Sequence, residues 1–270
     1  MKSMKITVIE QKENYLKMIV EDIDPPFANS LRRVMIAEVP SLAIEDVWIV
    51  DNNSSLYDEI IAHRLGLIPL RTDLKTFVVP SKCACSGEGC AQCQVAFTLN
   101  KEATEGPLTI YAEDLQSEDT NITPCNPKIP IVELVKGQRL VLEAYAKLGI
   151  GEAHAKWQPV ATCVYKFLPN ITINYETCEK CKKCVDACPK HIISFKENVQ
   201  ISDVMACHFC KSCEEVCEVE PKAIQVNWDA SKFIFTIEST GALSCEEIVK
   251  TACQVLKDKI KAFLDTLETL

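Results

Sequence analysis

The sequence predicts an α+β protein of three parts, and three observations carry the prediction. Helix-start signals stand near both ends of the 270-residue chain. Short apolar runs separated by turn-prone residues fill its middle. Two tandem cysteine runs occupy residues 178 to 217. A chain of this length holds two or three domains.

Composition narrows the class. Hydrophobic residues make up 47% and charged residues 25%, the balance of a folded globular protein rather than a disordered one. The net charge of -9 repels a phosphate backbone, so no direct nucleic-acid binding is expected. The first residues, MKSMKITVIEQKENYLK, break every apolar stretch with charge. No apolar run approaches the roughly 20 residues that span a bilayer. The expectation is a cytoplasmic chain with no membrane contact. Thiols stay reduced there, so the 16 cysteines point to metal rather than to disulfides.

Taken in order, residues 4 to 23 alternate loosely (Ile6, Val8, then Leu16, Met18, Val20) and read as a β-hairpin. Asp24-Pro25-Pro26 starts a helix, with Asp as N-cap and Pro at the first helical position. Phe27, Leu31, Val34 and Met35 recur on that helix, which ends before Pro40. From 41 to 165, the runs Val47–Val50, Val95–Leu99, Leu108–Tyr111, Ile129–Leu134 and Leu140–Ala144 predict a β-rich domain. One helix interrupts them, with Ile60, Ile61 and Leu65 on a face and Gly66 as its C-terminal cap. After the cysteine runs, Phe233–Ile237 reads as a strand. Ser244 and Glu247 then form a capping box. The stripe Ile248, Ala252, Val255, Leu256, Ile260, Phe263, Leu264 and Leu267 continues to about residue 268, a helix about 35 Å long. Most such stripes are the chain's own core. This one outruns the strands available to cover it, so part of it is expected to pack on another chain.

The surest chemistry lies in the tandem runs. Cys178-x2-Cys181-x2-Cys184-x3-Cys188-Pro189 is followed by Cys207-x2-Cys210-x2-Cys213-x3-Cys217. This is the bacterial-ferredoxin spacing, in which the fourth cysteine crosses to the other cluster. It predicts two [4Fe-4S] clusters, the first on Cys178, Cys181, Cys184 and Cys217, the second on Cys207, Cys210, Cys213 and Cys188. Four-cysteine zinc sites use CxxC pairs instead. Cys188-Pro189-Lys190-His191-Ile192-Ile193 is repeated by Cys217 and then Pro221-Lys222-Ala223-Ile224, with three extra residues after the cysteine. The displaced proline departs from the ferredoxin pattern and leaves open whether Cys217 reaches its cluster or that cluster is a three-iron form. Electron transfer and structural stapling of a small domain both remain readings of the clusters. His208, between two ligands, is either a tuning residue or an exposed loop residue.

Cys83-x-Cys85-x4-Cys90-x2-Cys93 lies in a loop with two glycines and no hydrophobic neighbours. Four thiolates so close can surround one tetrahedral zinc, with Gly87 and Gly89 permitting the turns. Free thiols in a loop are the alternative. Cys125, Cys163, Cys245 and Cys253 read as small buried hydrophobes, with Cys245 placed where a helix start lowers a thiol pKa. No phosphate loop, nucleophile elbow, zinc-protease motif or two-metal aspartate spacing is present, so no catalytic residue is assigned.

Ala28-Asn29-Ser30-Leu31-Arg32-Arg33-Val34-Met35-Ile36-Ala37-Glu38-Val39-Pro40 closely resembles the amino-terminal signature of the alpha-like subunits of RNA polymerase. Asp58-Glu59-Ile60-Ile61-Ala62-His63-Arg64-Leu65-Gly66-Leu67-Ile68-Pro69-Leu70 looks like the second signature of the archaeal and eukaryotic branch. His154–Pro159 matches a third block, and Phe233–Leu267 is similar to the carboxy-terminal half of the alpha dimerisation domain. A ferredoxin-like insert between these blocks is typical of the archaeal members of this alpha-like family.

The resemblance implies a discontinuous dimerisation domain (1–41, 155–170 and 227–270), a β-rich insert domain (42–154) and a ferredoxin-like domain (171–226). It implies a heterodimer with the small subunit L, joined by subunits N and P, that nucleates assembly of the two large catalytic subunits. Phe27, Leu31, Val34, Met35, Val255, Leu256, Ile260 and Phe263 are the expected interface. Arg32 and Arg33 fall in the block that faces the large subunits, or are simply solvated charges. The 83–93 loop resembles the zinc loop of the eukaryotic counterpart, whose middle gap is one residue shorter. An electron-carrying ferredoxin domain fused to a binding module, as in an oxidoreductase subunit, is the alternative. It leaves the 28–40 and 58–70 blocks without a purpose.

Overall fold

The computed structural model describes residues 4–269. In chain order it contains β1 (Lys5–Lys12), β2 (Tyr15–Glu21), α1 (Pro25–Ala37), β3 (Ser41–Asn52), α2 (Asp58–Gly66), β4 (Gln94–Glu102), β5 (Leu108–Tyr111) and β6 (Gln116–Ser117). Then come β7 (Pro130–Leu134), β8 (Arg139–Gly149) and β9 (Val160–Ile173). The cysteine-rich segment adds α3 (Lys183–Asp186), β10 (Ile193–Phe195), β11 (Val199–Ile201) and α4 (Ser212–Glu215), before the long β12 (Ile224–Ser239) and α5 (Cys245–Glu268). The mixture is α+β, and it divides into two compact units. One comprises the amino-terminal strand through Gln11, Lys17–Asn29 and Val164–Thr236. The other comprises Lys12–Leu16, Ser30–Cys163 and the chain from Ile237 onward.

In the first unit β1, β2, β12 and β9 form a sheet in that order. Alternation along β2 turns Met18 and Val20 inward, as a half-buried strand requires. Phe233 and Phe235 of β12 are fully buried, and Tyr165 and Phe167 of β9 lie on Phe233 with ring centroids 5.6 and 5.0 Å away. The cysteine-rich segment has a small core of its own. Ile192, Ile193, Val199, Ile224 and Val226 pack there with Cys188, Cys207 and Cys213. Thiols are thus part of what holds this segment together.

Asp24 accepts a 2.9 Å hydrogen bond from the Phe27 N–H, the cap that the sequence predicts. The helix it starts, α1, buries Ala28, Leu31, Val34 and Met35.

The second unit is built on an antiparallel sheet of order β3-β8-β4-β6. Phe97, Leu99, Leu142 and Ala144 point into its core, while Thr98 and Glu143 point out. The β5–β7 pair contributes Ile110, Ile131 and Leu134, and α2 contributes Ile61 and Leu65. Two expectations about α2 need correction. Ile60 is exposed, because a helix turns it about 100° away from Ile61. Gly66 is the last helical residue rather than a left-handed cap. The chain turns instead through right-handed Leu67, whose N–H reaches the His63 and Arg64 carbonyls.

The loop after β8 closes on the end of α1. Glu152 N–H donates to the Ala37 carbonyl at 2.8 Å, and a Cβ on Gly151 would lie 2.4 Å from the Ile36 carbonyl oxygen. Only glycine fits there. Ser244 and Glu247 form the predicted capping box at the start of α5. The first turns of α5 bury Cys245, Ile248 and Ala252, and its later turns are exposed. Among the described residues no helix is long and apolar enough to cross a membrane.

Candidate metal centres

Each cysteine run folds as an irregular loop followed by one helical turn, α3 or α4. Lys180 and Lys182 in the first loop adopt left-handed backbone, with φ of 57° and 65°; Phe209 and Lys211 do so at the matching places in the second, with φ of 61° and 60°. For residues with a side chain that conformation costs about 1–2 kcal/mol. Its repetition at matching positions means that both loops are wrapped in one way, with the thiols turned inward around a common centre.

One cavity is lined by Cys178, Cys181, Cys184 and Cys217, closed by Ile173, Val199 and Ile224. A second is lined by Cys188, Cys207, Cys210 and Cys213, closed by Ile171, Ile192 and Val226. Each brings three cysteines of one run to the fourth of the other, despite the displaced proline after Cys217. Charged side chains also stand on both walls, Glu179, Lys182 and Glu218 on the first and Lys190 and Lys211 on the second, and four thiols so grouped are the donor set of an iron–sulfur cluster. Burial pushes the Cys184 thiol up and the Cys213 thiol up to about 11, so a bound metal is what would make them thiolates. His208 is exposed at the rim of the second cavity.

Two lysines outside the cysteine spacing reach these loops. Lys166 Nζ donates to the Met205 and Cys207 carbonyls at 2.5 and 2.8 Å. Lys222 Nζ donates to the Glu214 and Cys217 carbonyls at 2.9 and 3.3 Å. Lys222 had a signal, its match to Lys190 in the internal repeat. Lys166 had none, because its partners are about forty residues away in the chain.

The third group draws Cys83, Cys85, Cys90 and Cys93 together with all four sulfurs within 4.8 Å of one another. The closest separations are 3.4 Å (Cys83–Cys85), 3.5 Å (Cys83–Cys90 and Cys85–Cys93) and 3.8 Å (Cys90–Cys93). Tetrahedral zinc with bonds of about 2.3 Å spaces its sulfurs about 3.8 Å apart. The fit is close. The Gly89 N–H and two neighbouring thiols pull Cys85 down to about 6, while burial pushes Cys93 up to about 12. The expectation of a loop without hydrophobic cover is wrong. Cys83 and Cys93 are buried, with the four sulfurs of the loop gathered on one another and Cys93 immediately before β4.

Of the expected interface residues, Leu31, Val34 and Met35 are buried within the chain itself and offer no surface. Phe27, Arg32, Val255 and Leu256 are half-buried, and Arg33 is exposed. Ile260 and Phe263 are 62% and 65% exposed, with Leu264 and Leu267 beside them at 52% and 48%. Among the remaining cysteines, Cys163 and Cys245 are buried, Cys125 is half-buried and Cys253 is exposed. Burial raises the Cys245 thiol rather than the helix start lowering it.

Residues 47–169 match the Rpb3/RpoA insert domain of RNA polymerase, and residues 170–218 match a 4Fe-4S dicluster domain. The chain is 43% identical over 272 residues to the DNA-directed RNA polymerase subunit Rpo3 of Methanosarcina acetivorans, covering 99% of this chain and 100% of that one. The chain belongs to the Rpo3 family of DNA-directed RNA polymerase subunits. Rpo3 of Archaeoglobus fulgidus is 43% identical over 98% of both chains. Rpo3 of Pyrobaculum aerophilum is 39% identical over 97% of this chain and 95% of its own. The resemblance to archaeal alpha-like subunits therefore holds across the whole length. A ferredoxin-type electron-transfer subunit of an oxidoreductase complex is not favoured, since the Rpo3 matches run far beyond the cysteine runs.

Proposed function

We propose that this chain is an assembly subunit of archaeal RNA polymerase that carries no catalytic residue of its own. Its dimerisation domain combines both chain ends, interrupted by the β-rich and ferredoxin-like domains. It pairs with the small subunit L through α1 and α5, is joined by subunits N and P, and presents the pair to the two large catalytic subunits in the cytoplasm. One observation carries this reading: Ile260, Phe263, Leu264 and Leu267 form an exposed apolar stripe on an otherwise well-capped helix. In water that stripe costs free energy until another apolar surface covers it.

Two [4Fe-4S] clusters, on the two crossed sets of four cysteines, and one zinc, on the 83–93 loop, complete the reading. The clusters supply thiolate-bound iron that ties the small core around Ile192 and Ile224 together. Loss of iron is expected to weaken higher-order assembly by loosening that core. Anaerobic co-expression with the small partner tests all of this. The expected product is a stable heterodimer with about eight irons and one zinc per pair. A monomer that ignores the partner would overturn the assembly reading. Assembly unchanged by cysteine-to-serine replacement at both clusters would overturn the regulatory one.

A further inference from the structure

The two cluster loops are not held alike. The second, around Cys207, is tied to the sheet at two points. Lys166 of β9 places its ammonium on the Met205 and Cys207 carbonyls. Phe209, two residues on, sets its ring edge-on to Trp228 of β12 at 5.9 Å, and Trp228 stacks on Phe167, the neighbour of Lys166. At the place of Phe209 the first loop has Lys180, and the lysine on a ligand carbonyl of the first set is Lys222, which holds Cys217 from within the cysteine-rich segment rather than from β9. Lys166 is half-buried and has no ion-pair partner among the described residues, so carbonyl dipoles are what its ammonium touches.

We propose that Lys166 is a positioning residue for the cluster on Cys188, Cys207, Cys210 and Cys213, fixing that ligand loop and holding a positive charge beside that cluster and not the other. The proposal rests on the two-cluster reading above. Reduction adds negative charge to a cluster, and net charge and surrounding hydrogen bonds set its potential. A fixed cation therefore favours the reduced state of the cluster it adjoins. Groups that orient ligands from behind also set how firmly the metal is held.

The test uses the full chain, purified anaerobically with its partner. Iron and sulfide content of the unsubstituted protein comes first. Fewer than two clusters there would remove the two-cluster reading, and this proposal with it. Lys166→Gln keeps a hydrogen-bond donor and removes the charge; Lys166→Arg keeps the charge. Redox titration followed by electron paramagnetic resonance reads each cluster, and Cys181→Ser, which removes a ligand of the first, assigns the signals. The expected result for Lys166→Gln is a lower potential for the second cluster alone. Its iron should also be lost in air faster, by on the order of tenfold, with the Arg variant close to the original. Two unshifted signals, or equal shifts in both, would overturn the proposal. So would failure of both Lys166→Gln and Lys166→Met to fold, because the lysine would then support the whole unit rather than one cluster.

Discussion

Lys259 on α5 donates a 2.6 Å hydrogen bond to Glu38, just beyond the end of α1, joining side chains 221 positions apart. Among the described residues this pair is the last side-chain tie between α5 and the rest of the chain, since Ile260–Thr269 are exposed. As a solvent-facing ion pair it contributes about 0–1 kcal/mol. Lys259→Ala should therefore shift a urea midpoint only slightly. A loss of several kcal/mol would mean that α5 depends on this bond rather than on Ile248 and Ala252.

The exposed stripe makes a sharper prediction. Phe263→Asp combined with Leu267→Asp should weaken pairing with the small subunit by about a hundredfold while leaving iron content and the monomer's melting unchanged. Burying two such side chains contributes about 3 kcal/mol or more, roughly a hundredfold in affinity. Sedimentation of the co-expressed pair measures it. Undiminished pairing would place the contact elsewhere.

If two clusters sit on the crossed cysteine sets, single substitutions should separate them genetically. Cys217→Ser should remove the cluster shared with Cys178, Cys181 and Cys184, and Cys188→Ser the other. Each should take iron from about eight to about four per chain. If Cys217→Ser instead disturbed the cluster of Cys207, Cys210 and Cys213, the crossing would be wrong.

These readings differ in how legible they were in the sequence. The grouping of cysteines around the two cavities was legible because thiolate chemistry needs fixed local spacing, and the β-rich middle because period-2 alternation is local too. Leu31, Val34 and Met35 were misread because a helical stripe looks the same whether its own chain or a partner covers it. Cys83 and Cys93 were misread because burial there comes from the loop folding its four thiols onto one another, which its composition does not show. Lys166 left no trace, since a lysine on a strand carries no sign of carbonyls about forty residues away. Gly151 was likewise unreadable, because its constraint is the approach of α1 from a distant part of the chain.

That glycine gives a stability prediction independent of any metal. Gly151→Ala would drive a Cβ to within 2.4 Å of the Ile36 carbonyl oxygen, a backbone atom with no rotamer to yield. Such overpacking typically costs about 1–3 kcal/mol. A drop in melting temperature of several degrees is expected, with zinc and iron content unchanged.

The 83–93 loop offers the cleanest metal test of the proposed zinc, because its sulfurs are already spaced for a tetrahedron. The Gly89 N–H and two neighbouring thiols pull the half-buried Cys85 down to about 6, so Cys85→Ser should remove a ligand while leaving the buried Cys83 and Cys93 in place. Zinc should fall from one to near zero per chain while iron stays constant. A structural zinc contributes folding free energy through every bond it makes. The loop from Pro80 to Cys93 should accordingly become protease-sensitive in the variant and in protein stripped by a chelator. Retention of zinc in Cys85→Ser, or its absence from the unsubstituted protein, would return these four residues to the status of free thiols.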